Sequence, residues 1–198
     1  MTQFLDTQLS LLERARLRDG NAWSQLVELY SPLIVRWCAR SGLSKQEIAD
    51  CVQEVFLSVS RSLDSFTSPG TVGAFRGWMW TITRNKLRDA FRHRSTQFSA
   101  AGGSSALRQL NSIPDFVLES SEDPSTAVEF HQLVHRAMEQ VKNCFEENTW
   151  QAFWRSVVDG IRTEVVAREL GLSCASVRQA RSRILRRVRQ QLGDLNEA

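Results

Sequence analysis

Histidine and cysteine are scarce in this chain of 198 residues, with three and four copies, and their spacing excludes more than their number does. Cys38, Cys51, Cys144 and Cys174 form no CxxC pair. Neither a disulfide framework nor a thiolate zinc site is therefore predicted, and a reducing cytoplasm is the compartment that fits. His131 and His135 stand one helical turn apart, but only Cys144 is near enough in sequence to add a third ligand, and zinc needs three or four. No metal or other cofactor is predicted. No apolar run approaches the ~20 residues of a membrane span, and the start, MTQFLDTQLS, has no basic stretch followed by an apolar one, so neither membrane insertion nor export is expected. A Gly-rich phosphate loop, a clustered carboxylate and histidine set and a nucleophile motif are missing too, which counts against an enzyme such as a nuclease or phosphotransferase.

What is present is ample apolar content, 42%, and an uneven distribution of charge around a net +3. Residues 1–60 carry 6 basic and 7 acidic side chains, residues 61–95 carry 7 and 2, residues 96–150 carry 3 and 8, and residues 151–198 carry 9 and 5. Two basic blocks flanking an acidic one point to two separate nucleic-acid surfaces, joined by a segment that avoids nucleic acid or imitates it.

Periodicity divides the chain into helices. Leu5, Leu9 and Leu12 form a short amphipathic segment stopped at Asp19-Gly20, and Asn21 is placed to cap a second helix whose Trp23, Leu26, Val27 and Tyr30 face a core. Pro32 is expected to interrupt that helix, with Leu33 to Ala39 resuming it until Gly42. Ser44-Lys45-Gln46-Glu47 is a capping box opening a third helix, with Ile48, Val52, Val55, Phe56 and Val59 inward and Asp50, Gln53 and Glu54 outside that face. After the turn-rich 64–74 comes FRGWMWTITRNKLRDAFRHR, Phe75 to Arg94. At about 100° per residue, Phe75, Met79, Ile82, Leu87, Ala90 and Phe91 gather on one side of it. Opposite, Arg84, Arg88 and Arg92 recur every fourth residue beside Thr81 and Asn85, with Trp78 and Trp80 near the edges of the stripe. Guanidinium groups suit phosphates and flat rings suit unpaired bases, so the helix is predicted to meet single-stranded or melting nucleic acid. An amphipathic core helix with a solvated arginine face is the competing reading.

Residues 96–124 are poor in helical period and rich in Ser, Gly and acid, and read as a flexible linker, although Ile113, Phe116 and Val117 mark a part that docks. Asp123-Pro124 is expected to restart helix, and Trp150, Phe153, Trp154 and Val157 are expected in a core. The last stretch, TEVVARELGLSCASVRQARSRILRRVRQQL, has helix-turn-helix spacing: Ala167 where the helices cross, Gly171 at the turn, Ser173 as cap and Val177 as anchor. Val177, Ile184, Val188 and Leu192 face inward. Arg178, Gln179, Ser182 and Arg186 face out, and six arginines fall between Arg178 and Arg189 with no acid among them. Arg and Gln early in such a helix suit base edges in the major groove, and the later Arg187 and Arg189 are expected to attract phosphates or lend support.

DCVQEVF at 50–56 and FRGWMWTITRNKLRD at 75–89, a short loop apart, resemble region 2 of the sigma-70 superfamily, in the small two-domain branch called extracytoplasmic-function sigma factors. The C-terminal helix-turn-helix is similar to region 4. The resemblance implies an all-α protein of two small helical domains, 1–95 and 125–198, joined by the linker 96–124. It implies a partner in core RNA polymerase, contacted by Asp50, Gln53 and Glu54. It implies promoter DNA, with the downstream box held and melted by Trp78, Trp80, Arg84, Asn85, Arg88 and Arg92. The upstream box would be read by Ser173, Ala175, Arg178, Gln179, Ser182, Arg183 and Arg186. An anti-sigma factor is implied as a further partner. Before the helix-turn-helix, NTWQAFWRSVVDG departs from the leucine- and arginine-rich segment usual in the family, so the polymerase contact made there is not transferred. The alternative from residues alone is a stand-alone helix-turn-helix regulator.

Overall fold

Ser10 opens the first helix, α1 (Leu11–Arg16), with a capping box: its hydroxyl accepts from the Glu13 N–H while the Glu13 carboxylate accepts from the Ser10 N–H. The same device starts α3 (Lys45–Ser62), through Ser44 and Glu47 as the sequence predicts. The computed structural model describes residues 9–69, 71, 73–100 and 123–193, with the side chains of 95–100 excepted. Every described element is helical, so the fold is all-α. The expected linker lies for the most part, at 101–122, outside the described residues, and so do Ile113, Phe116 and Val117.

Two helix boundaries differ from expectation. The cap of α2 (Gly20–Ala39) is Asp19, whose carboxylate accepts from the Asn21 N–H at 2.9 Å, and not Asn21 itself. Pro32 does not interrupt this helix, which runs unbroken through it. A proline inside a helix costs ~3 kcal/mol, but Leu29, Tyr30, Leu33, Ile34 and Trp37 around it are all buried. Each large apolar side chain so buried contributes roughly 1.5–3 kcal/mol, so keeping the helix intact wins. A one-turn 3-10 helix (Leu63–Ser65) follows α3, and after the loop α4 spans Ala74–Ala100.

The second half begins with α5 (Ala127–Lys142), capped by Thr126 in a capping box with Glu129; the Asp123 carboxylate instead accepts from the Ser125 N–H and hydroxyl, so the expected cap at Asp123 is corrected by one turn. Next is α6 (Glu147–Phe153), which widens into a π-turn over Trp154–Val158. Trp150 and Phe153 are buried as expected, but Val157 is exposed because the wider turn rotates it off the inner face. Two helices close the chain, α7 (Thr163–Glu169) and α8 (Cys174–Gln191).

One apolar core serves both halves of the chain. Leu26, Leu33, Ile34 and Trp37 of α2 join Val55 and Val59 of α3 and Phe75, Met79 and Trp80 of α4, and the same cluster takes in Leu133, Ala137 and Val141 of α5 with Ile184 and Val188 of α8 and its C-cap Leu192. Polar bonds stitch the joint. The Tyr30 hydroxyl donates to the Leu192 carbonyl (2.8 Å), Trp37 Nε1 donates to Ser125 Oγ (3.2 Å), and Arg187 Nη1 donates to the Leu9 carbonyl (2.9 Å). Arg40 pairs with Glu129 at 2.5 Å, Arg76 pairs with Asp123, and the Arg76 guanidinium lies 4.6 Å over the Phe130 ring. A smaller second core of Ala152, Val166, Ala167, Val177 and Ala180 lies under the helix-turn-helix alone.

Glu129 makes this joint sensitive to acid. Burial pushes its pKa up, but the hydrogen bonds from Thr126 and the charge and hydrogen bond of Arg40 outweigh burial and hold it below the ordinary 4.5. A carboxyl depressed by folding contributes stability above its unfolded pKa and loses it as the pH falls through the folded one. Glu129→Gln is therefore expected to lower the urea midpoint at neutral pH. The gap to the unsubstituted protein should narrow as the pH falls below 4.5 and through the lower folded-state value, and close at an acid pH where the carboxyl is protonated in both states. Paired urea titrations at the two pH values check this.

Candidate polymerase face and nucleic-acid interface

Asp50, Gln53 and Glu54 are all exposed, because Cys51, Val55, Phe56 and Val59 take the inner face of α3 and leave these three outside it. Asp50 and Glu54, but not Gln53, edge a groove between α3 and α4 with a volume of about 510 Å³, lined by Glu47, Asp50, Cys51 and Glu54 on one wall and by Lys86, Asp89, Ala90, His93 and Arg94 on the other. Lys86 Nζ reaches Glu54 at 3.3 Å, and Arg94 Nε stands 3.9 Å from Glu47. The Ser44 hydroxyl and backbone N–H hold Glu47 below the ordinary carboxylate range. Sequence reasoning missed Lys86, Arg94 and Cys51 as parts of this face, since only the packing of α3 on α4 brings them there. Lys86 and Arg94 lie outside the arginine stripe, which was the available signal.

The long helix α4 behaves as its projection predicts on the inner side, where Phe75, Met79, Leu87 and Phe91 are buried. Ile82 and Ala90 are half-buried. On the outer side Thr81, Asn85 and Arg92 are exposed, and Arg84 and Arg88 are half-buried. Arg92 Nη1 lies 3.5 Å from the Asp89 carboxylate one turn back. The two tryptophans part company. Trp78 is half-buried on a shelf of Phe66 and Phe75, ring centroids 4.9 and 5.6 Å away, and stays at the edge of the stripe. Trp80 is 0% exposed and packs edge-on against Trp37 at 5.4 Å. The expectation that Trp80 stacks on unpaired bases is thus corrected: it is a core side chain, enclosed with Trp37, whose indole N–H is bonded to Ser125 at the start of the second half.

At the C-terminus the helix-turn-helix has the expected local geometry. Gly171 turns with φ +65°, the Leu172 N–H bonds the Ala167 carbonyl at 2.8 Å, and the Ser173 hydroxyl caps α8 by accepting from the Ser176 N–H at 3.0 Å. Ala167 and Val177 are buried against each other's helices. Ser173, Ala175, Arg178, Gln179, Ser182, Arg183 and Arg186 are all exposed along the outer side of α8 and its cap. Arg187 is different: it is buried, and its guanidinium donates to the Leu9 carbonyl. Of the two roles expected of Arg187, phosphate attraction or support, its burial and its bond to Leu9 fit support, while Arg189 stays exposed. Among the described residues no three His, Cys, Asp or Glu side chains gather as a metal site, and no helix is long and apolar enough to cross a membrane.

An acidic-edged groove between α3 and α4, an arginine stripe on α4 and a helix-turn-helix at the C-terminal end are thus the three surface features of this all-α chain. The family model for Sigma-70 region 2 matches residues 26–97, which are α2 to α4. RNA polymerase sigma factor CarQ of Myxococcus xanthus is 30% identical over 182 residues, covering 91% of this chain and 95% of that protein. ECF RNA polymerase sigma factor BldN of Streptomyces coelicolor is 25% identical over 190 residues, 94% of this chain and 66% of that protein. RNA polymerase sigma factor NccH of Alcaligenes xylosoxydans xylosoxydans is 31% identical over 88 residues, 44% of this chain and 46% of that protein. The chain belongs to the extracytoplasmic-function branch of the sigma-70 family, the sigma factors that direct transcription initiation.

Proposed function

We propose that this sigma factor binds core RNA polymerase through Asp50, Gln53 and Glu54, holds the melted downstream promoter box on Trp78, Arg84, Asn85, Arg88 and Arg92, and reads the upstream box with Ser173, Ala175, Arg178, Gln179, Ser182, Arg183 and Arg186. It acts without catalysis of its own, in the cytoplasm, as two modules, 1–95 and 125–198, joined by 96–124. An anti-sigma factor is proposed as the partner that holds it inactive. The observation that carries the reading is the exposed set on α3, three polar side chains next to a buried apolar row, which a simple repressor has no use for. The second core beneath the helix-turn-helix gives residues 152–180 packing of their own, while α5 and the end of α8 share the core of the first half.

Run-off transcription with purified core polymerase tests the reading. Activity only in the presence of the chain supports it; duplex binding without any polymerase-dependent transcript returns the protein to the class of stand-alone regulators. Within that assay the double variant Gln53→Ala, Glu54→Arg is expected to bind core at least about tenfold more weakly, which corresponds to 1.4 kcal/mol. Its far-ultraviolet circular dichroism should be unchanged, because both side chains are exposed. Unaltered affinity in the double variant removes α3 from the interface.

A further inference from the structure

Two thiols on neighbouring helices, one of them bordering the groove between α3 and α4, make none of the contacts proposed above. Cys38 of α2 and Cys51 of α3 lie with their sulfurs 3.7 Å apart, the Cys38 thiol donating to the Cys51 sulfur. Buried thiols in contact are ordinarily packing atoms, small apolar groups that fill a gap between helices. This pair differs in its access. Cys38 is sealed in the core, but Cys51 forms part of the wall of the groove between α3 and α4, directly beside Asp50 and one turn from Glu54. Cys51 is itself only 5% exposed, but it borders that groove of about 510 Å³, which makes it the member of the pair nearer to solvent.

We propose that Cys38 and Cys51 are a thiol–disulfide pair, oxidised by a hydroperoxide through Cys51, and that the disulfide weakens binding of core polymerase at the α3 face. The second half of this statement rests on the reading of Asp50, Gln53 and Glu54 as the polymerase contact.

The position of Cys51 at the groove, with Cys38 behind it in the core, assigns the order of events, and the electrostatics agree. The hydrogen bond from Cys38 favours the Cys51 thiolate, burial opposes it, the Lys86 ammonium across the groove favours it and the Glu54 carboxylate opposes it; the balance lowers the Cys51 pKa. Cys38 is pushed up, by that same hydrogen bond and by burial. Cys51 is thus the nucleophile and Cys38 the resolving thiol. The Cys51 thiolate attacks one oxygen of the hydroperoxide, the O–O bond breaks, and the leaving oxygen departs as water or alcohol after taking a proton. Cys51 is left as a sulfenic acid. The Cys38 sulfur attacks the Cys51 sulfur, the S–O bond breaks, and hydroxide leaves as water with the Cys38 proton. Two thiols lose two electrons and two protons, and the hydroperoxide takes both.

Bond formation brings the sulfurs from 3.7 Å to about 2.05 Å. That draws α3 toward α2 and changes the spacing of Asp50 and Glu54 from Lys86 on the opposite wall. Disulfides in reducing compartments are typically transient and regulatory, which suits a pair that a dithiol reopens.

The full-length chain carrying Cys144→Ser and Cys174→Ser, so that only this pair remains, is treated with hydrogen peroxide, alkylated and digested without reductant. A cross-linked peptide joining Cys38 to Cys51 is expected. Affinity for core polymerase should fall about tenfold and return with dithiothreitol. With Cys38→Ser added, a dimedone adduct is expected at Cys51; with Cys51→Ser, no adduct at Cys38. Cys38→Ala and Cys51→Ala serve as second variants if serine is not tolerated in the core. Thiols that stay free under peroxide, or an adduct at Cys38 in place of Cys51, overturn the proposal. A disulfide that leaves core affinity unchanged overturns its regulatory half. Failure of the polymerase reading is told apart from both, because then the reduced protein already fails to bind core while the cross-link is still read by mass.

Discussion

Trp80→Ala is expected to lower the unfolding free energy by about 3–5 kcal/mol, the usual cost of emptying a fully buried aromatic site. The indole is 0% exposed and closes edge-on against Trp37, so its removal leaves a cavity at the joint of α2 and α4, beneath the segment where Ser125 bonds the Trp37 N–H. Trp80→Phe, which keeps most of the volume, should recover much of the loss. Urea titration of the free protein provides the measurement. A surface platform for bases would behave in the opposite way: Trp80→Ala would keep wild-type stability, and only promoter melting, followed by permanganate reactivity, would suffer. An unfolding free energy within about a few tenths of a kcal/mol of wild type would therefore return Trp80 to the DNA face. Trp78 supplies the comparison, since it is half-buried on Phe66 and Phe75 and its alanine variant should cost less stability than Trp80→Ala.

The second large effect is expected at the other DNA surface. Arg178→Ala should relax upstream-box preference at one base pair, with a loss of roughly 1–3 kcal/mol at the preferred base and little change elsewhere. Arg178 is exposed one residue after the buried anchor Val177, in the first turns of α8, where side chains of a recognition helix reach base edges. Arg189 is the contrasting probe. It is exposed at the far end of the helix, and its alanine variant should weaken all sequences alike and flatten the salt dependence. Selection of upstream boxes by both holoenzymes at two salt concentrations separates the two behaviours, and an Arg178→Ala holoenzyme with wild-type preference at every position would end the base-reading role. Arg187 is unsuited to this comparison. Its guanidinium is tied to the Leu9 carbonyl, so Arg187→Ala acts on stability before it acts on DNA.

The features legible in the sequence are those whose partners lie within a turn or two of chain. Ser44 and Glu47 cap α3 through bonds that span three residues, so the motif suffices to place the helix start. Gly171, Ala167 and Val177 build the helix-turn-helix within one short stretch, and its small core is made almost wholly of that stretch. The buried row of α3 and its complement Asp50, Gln53 and Glu54 follow from period alone, and so does the arginine stripe of α4. These local patterns, with the charge blocks, were enough for the all-α class and the family.

Tertiary structure decided whatever depends on a distant partner. Period places Trp80 at the edge of a polar stripe, but Trp37 of α2 closes edge-on against it within the shared core, and burying an indole outweighs any preference of the helix surface. Pro32 is a breaker by local rules and is overruled by the apolar residues on both sides that the core buries. Arg187 belongs by spacing to a basic helix, yet the packing of α8 against the first half places a carbonyl 178 positions away within hydrogen-bond reach. Cys38 and Cys51 meet for the same reason, because the interface of α2 and α3 puts two unrelated helix positions at one point. Side-chain burial and long-range pairing are properties of the assembled core, where each helix is judged by what covers it rather than by its own period.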